Sequence, residues 1–160
     1  MLSEFDLVVL LRVTLAAALG LLVGLERMAA GAPIRARTLS LATMTTALVM
    51  AVSVEAYGVE SSRVVQGLVT GVGFLGAGII LHSAAGEVHG LTTAATLWVM
   101  GAVGIVVGSG HELLAVLVTA LIGAFIALSD SRLITRPVKW WAGRGGGRET
   151  PPDDSRPQQS

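Results

Sequence analysis

Gly71-Val72-Gly73-Phe74-Leu75-Gly76-Ala77-Gly78, set inside a long apolar run, decides how this chain is read. Glycine costs about 1 kcal/mol relative to alanine in a water-exposed helix interior. A bilayer changes that balance, because the backbone there must stay hydrogen-bonded and small residues let helices approach closely. The stretch therefore predicts a membrane helix packed tightly against its neighbours. Composition points the same way: 52% of residues are hydrophobic and 14% charged, against roughly 25% charged in a soluble domain. Formal net charge is zero, so nothing draws the chain to nucleic acid. Cysteine is absent, which removes disulfides, thiolate chemistry and cysteine metal sites.

Five apolar runs approach the roughly 20 residues that a crossing needs. They are Leu7–Leu25, Leu39–Tyr57, Val64–His82, Leu91–Gly108 and Leu113–Leu128, separated by short polar or glycine-rich breaks. Glu4 and Asp6 precede the first run with no basic residue, so a cleaved signal peptide is not expected. The expected fold is all-α, a polytopic membrane domain over residues 1–130 with five transmembrane helices. Residues 131–160 form a basic tail, and Gly143–Ser160 carries glycine, proline and charge without a core-forming pattern, so disorder is expected there.

Lys and Arg set the expected orientation. Arg27, Arg35 and Arg37 follow the first run, and Arg132, Arg136, Lys139, Arg144, Arg148 and Arg156 follow the fifth. An odd number of crossings puts both groups on one side, leaving Arg63 on the other and Arg12 within the first run. The N-terminus is expected outside and the C-terminus in the cytoplasm, with Trp140 and Trp141 as interfacial anchors.

Gly20/Gly24, Gly67/Gly71 and Gly104/Gly108 form three Gly-x-x-x-Gly pairs in different runs, each expected to make a close helix contact. Gly71-x-Gly73-x-x-Gly76 formally matches a dinucleotide fingerprint. That motif needs a preceding strand and a water-accessible helix N-terminus, so a mid-membrane position rejects it. Gln66, Gly71, Gly73, Gly76, Gly78 and Trp98 are instead read as a helix-packing surface or a polar path. A membrane arginine is costly unless paired, so Arg12 is expected to pair with Glu55. Glu26, Arg27, Arg35, Arg37, Thr92 and Thr93 form a cytoplasmic cluster. Its bland role is topology and lipid-headgroup contact; its sharper role is to engage an ion or a partner protein. The threonines opening the fourth run can cap that helix or bond back to carbonyls. His82, Glu87 and His89 match no known ligand spacing, so no metal site is expected. No Ser/His/Asp, paired-carboxylate or Walker arrangement appears, so neither an enzyme nor a cofactor is expected.

Three segments in order resemble the membrane domain of the MgtC/SapB family. They are Gly24-Leu-Glu26-Arg27 with Arg35-Ala-Arg37-Thr38-Leu39; Gln66 through Ile80; and Gly90-Leu91-Thr92-Thr93-Ala94-Ala95-Thr96-Leu97-Trp98, continuing to Gly104. The resemblance covers roughly residues 7–128. It implies a bacterial inner-membrane protein linked to magnesium limitation, acid stress or intracellular survival. The family resembles a regulator acting on other membrane proteins, ATP synthase included, more than a transporter. Family-important positions fall on Glu26, Arg27, Arg35, Gln66, Gly73, Gly76, Gly78 and Thr92. Met28 departs from a polar or acidic pattern, and Ala36 and Arg37 from a threonine and a histidine or asparagine. Thr92 stands where some virulence-associated members have asparagine. The short polar tail replaces an ACT-like regulatory domain, so sensing by such a domain is not expected. The expected partners are the lipid bilayer, other inner-membrane proteins and further copies of the chain. The alternative function is a small homo-oligomeric ion transporter or channel, with magnesium as a candidate ion.

Overall fold

The computed structural model of the chain describes residues 3–81 and 90–130. Five α-helices follow in order: α1 Glu4–Ala29, α2 Ala36–Tyr57, α3 Ser62–Leu81, α4 Leu91–Gly108 and α5 Glu112–Asp130, with a 3₁₀ turn Gly58–Ser61 before α3. The described residues contain no strand. By length and composition α1 to α4 can cross a membrane, while α5 is apolar over the shorter span Glu112–Leu128. The chain is therefore an all-α polytopic membrane protein. It divides into two compact units, Met1–Phe125 and Ile126–Ser160, and the helix packing below belongs to the first.

Local sequence sets the helix ends. Ser3 and Asp6 close a capping box on α1: the Asp6 N–H donates to Ser3 Oγ at 3.1 Å, and the Ser3 N–H donates to Asp6 Oδ2 at 2.8 Å. Each satisfies a donor the helix leaves orphaned. At the other end Gly31 takes φ +79°, a left-handed conformation that costs glycine little, and Pro33 blocks continuation. Gly110 does the same after α4, at φ +90°.

Helix α2 is the centre of the bundle because glycines on both sides let neighbours reach its backbone. At Gly20 of α1 a Cβ would stand 2.7 Å from Thr43 Oγ1 and 2.8 Å from the Leu39 carbonyl oxygen. At Gly24 it would stand 2.5 Å from Ala36 Cα. From α4, a Cβ on Gly104 would meet the Thr43 carbonyl and Thr46 Oγ1, and one on Gly108 would meet the Ala47 carbonyl. Side chains with a Cβ essentially never approach that closely. Ser40 Oγ adds a 2.9 Å hydrogen bond to the Ala17 carbonyl of α1. Leu39, Ala47, Leu97, Met100 and Val107 are buried around these contacts.

The stretch that identifies the membrane fold behaves differently. Val72 of α3 packs on Gly101 of α4, and Gly76 lies 3.7 Å, measured from an added Cβ, from Ala94. At Gly67, Gly71, Gly73 and Gly78 an added Cβ meets nothing within 4 Å. Among the described residues, close packing at the Gly67/Gly71 pair and at Gly73 is thus not made. The helical period explains why: these glycines are spread around the circumference, and α4 covers only the face holding Val72 and Gly76.

Candidate functional site

The end of the bundle formed by the C-terminus of α1 and the N-termini of α2 and α4 carries the expected cluster. Arg27 is 4% exposed, unusual for arginine unless it is paired. Its Nε donates to Glu26 Oε2 at 2.9 Å and its Nη2 to Glu26 Oε1 at 3.2 Å, a two-point fork between chain neighbours. Ile34, Ala36 and Thr93 are buried at the same end. Arg35, Arg37 and Thr92 are exposed, and neither Arg35 nor Arg37 pairs with an acid among the described residues. Gly90, in a left-handed conformation, caps α4 without a side-chain bond, so Thr92 and Thr93 are not caps. The Thr92 carbonyl accepts from Thr96 Oγ1 at 2.8 Å. Met28 has a role that sequence reasoning missed: its Sδ accepts the Ala36 N–H at 3.1 Å, occupying a donor at the start of α2. His82, Glu87, His89, Trp140 and Trp141 lie outside the described residues.

At the opposite end Arg12 pairs with Glu112, not with Glu55. Arg12 Nε donates to Glu112 Oε1 at 2.7 Å, while Glu55 is exposed. The reason is axial. The 26 residues of α1 span about 39 Å and the 18 of α4 about 27 Å. The first turns of α1 therefore run past the turn that ends α4, and Arg12 lies level with Gly110 and Glu112. A Cβ on Gly110 would stand 2.8 Å from Arg12 Nη2, so the bare turn makes room for the guanidinium. The charge meets a polar turn rather than hydrocarbon.

Gln66 is exposed on α3, and its side-chain amide makes no hydrogen bond among the described residues. Helical spacing places Thr70, Gly73 and Ala77 on the same stripe. Trp98 is exposed on α4, at the edge of a small apolar cavity of about 220 Å³ reaching Ala115 and Val118 of α5. A second stripe of α3, with Gly67 and Gly71, faces α2 across a groove of about 590 Å³. Arg37 and Thr38 stand at its α2 N-terminal end. The hydroxyls nearest the bundle core are committed locally: Thr43 donates to the Leu39 carbonyl, Thr46 to those of Ala42 and Thr43, and Ser53 to that of Val49. No group of three or more potential metal ligands occurs among the described residues.

The MgtC family model matches residues 13–133. The chain is 42% identical over 131 residues to the protein SrpB of Synechococcus elongatus, a match covering 73% of this chain and 69% of that protein. It is 41% identical over 110 residues to Escherichia coli K12 YhiD, a protein whose name proposes magnesium transport, covering 63% of this chain and 51% of YhiD. It is 48% identical over 67 residues to the protein MgtC of Brucella abortus strain 2308, covering 42% of this chain and 28% of that protein. The chain thus spans 69% of SrpB but only about half of YhiD. No solved structure matches it. With most of its helical domain matched, the chain belongs to the MgtC family.

Proposed function

We infer that this chain is a non-enzymatic regulator of adaptation to low magnesium or acid, acting in the bacterial inner membrane through contact with other membrane proteins. Its basic end, with Arg27, Arg35 and Arg37, faces the cytoplasm in this reading, and the N-terminus faces outward. The observation that carries the contact mechanism is a face of α3 that no described residue covers. Gln66, Thr70, Gly73 and Ala77 form a stripe of small and polar residues on a membrane helix, and Gly73 has open space where a Cβ would stand. Such a stripe admits a second helix at close range, and an amide facing lipid gains a hydrogen bond when a partner helix supplies one.

The name carried by YhiD favours transport as the second reading. Two features of the first unit weigh against a cation route through it. The core hydroxyls donate to carbonyls of their own helix, and the groove between α2 and α3 has Arg37 at one end. Cross-linking in membranes from magnesium-limited cells tests the preferred reading. A photoreactive residue at Phe74, exposed beside the stripe, is expected to form one discrete adduct that Gly73→Leu abolishes. Magnesium flux into proteoliposomes by the purified wild-type protein would favour the transporter instead.

A further inference from the structure

We propose that the groove between α2 and α3 is a binding site for one anionic phospholipid, its acyl chain along α3 and its phosphate at Arg37. The groove holds about 590 Å³, within the range of sites that bind small amphiphiles. Its walls are mainly apolar, with Leu41 from α2 and Leu68, Leu75 and Ile79 from α3, and Thr45 and Thr46 of α2 also line it. Gly67 and Gly71 keep it open, because neither carries a side chain into it and an added Cβ at either meets nothing.

Length separates a lipid from other apolar occupants. From Ile79 to Gly67 the groove follows α3 for about 18 Å, close to the roughly 15 Å of one leaflet's hydrocarbon. Its polar end lies at a helix terminus, where headgroups sit, and its far end lies in the apolar interior. Charge then selects the headgroup. Arg37 lines the polar end, is exposed and has no acidic partner among the described residues. It belongs to the first turn of α2, whose N-terminal partial positive charge also favours an anion. Thr38 supplies a hydroxyl at the same level. An acyl chain bearing a phosphate matches both the apolar wall and the unpaired cation. A second copy of this chain would meet Arg37 with its own Arg37 if the two packed symmetrically groove to groove.

Native mass spectrometry of the protein released from vesicles of phosphatidylglycerol and phosphatidylcholine in equal amounts tests this. One phosphatidylglycerol is expected to survive delipidation in preference to phosphatidylcholine. Arg37→Gln should lower that preference about fivefold, the factor one basic residue contributes at an anionic surface. Arg37→Lys should retain most of it. Gly71→Phe should reduce retention of both lipids by filling the groove, and because its Cβ enters open space the fold should persist. Equal retention of both lipids by wild type, or no effect of Arg37→Gln and Gly71→Phe, would overturn the proposal. Rapid disulfide dimerisation of Leu75→Cys in vesicles would overturn it too, by showing the groove covered by a second copy. Preservation of the preference in excess inorganic phosphate is expected; its loss would mean a free-anion site.

Discussion

Gly104→Ala and Gly73→Ala make the same chemical change in two glycine-rich membrane helices, yet opposite outcomes are expected. At Gly104 the new methyl would collide with the Thr43 carbonyl and Thr46 Oγ1. The Thr46 hydroxyl can rotate away, but the carbonyl belongs to the α2 backbone and cannot. Helices α2 and α4 must then part by about 0.5–1 Å, a gap that forfeits a quarter to a half of the dispersion attraction of atoms lining it. Leu97, Met100 and Val107 are buried along that seam. Overpacking of this kind costs about 1–3 kcal/mol, and a rigid backbone obstacle puts Gly104→Ala near the upper figure. At Gly73 the methyl meets nothing, so reduced freedom of the unfolded chain leaves Gly73→Ala neutral or about 0.5 kcal/mol more stable. Reversible unfolding in mixed dodecyl maltoside and SDS micelles, followed by tryptophan fluorescence, measures both. A separation of about 3 kcal/mol is a factor of roughly 100 in the unfolding constant. Equal shifts for the two variants would refute the glycine-mediated grip on α2.

Other outcomes follow from the Arg12 end. A double-mutant cycle on Arg12→Gln and Glu112→Gln should give a coupling of about 0.5–1 kcal/mol that falls as salt is raised, because both partners are partly exposed; the same cycle on Arg12 and Glu55 should give none. Gly110→Ala should cost about 1–2 kcal/mol for a side chain in the left-handed region, and it should weaken the Arg12–Glu112 coupling because the new methyl occupies space beside the guanidinium.

The helical membrane architecture was legible because run length and polarity are local properties, and the helices found lie close to the five apolar runs. The grip on α2 was partly legible, since Gly20/Gly24 and Gly104/Gly108 mark close faces without naming the helix they meet. Gly67/Gly71 has the same spacing and no close neighbour among the described residues, because spacing records an opportunity for contact and tertiary packing decides whether it is taken. The Arg12 partner was misread for a related reason. Residue count along the runs puts Glu55 at a suitable depth, but the offset between α1 and α4 brings Glu112 to Arg12, and axial offset leaves no mark in a hydropathy pattern. The sulfur at Met28 that receives the Ala36 N–H left no mark in the hydropathy pattern, which does not register a thioether acceptor.

Magnesium-limited growth of a deletion strain carrying wild-type or Gly73→Leu protein, at equal membrane abundance by blot, tests the contact mechanism most directly. The open space at Gly73 lets leucine fold into α3 while obstructing a partner helix. The account predicts that wild type restores growth and Gly73→Leu does not. Full rescue by Gly73→Leu, or no rescue by wild type, would contradict it.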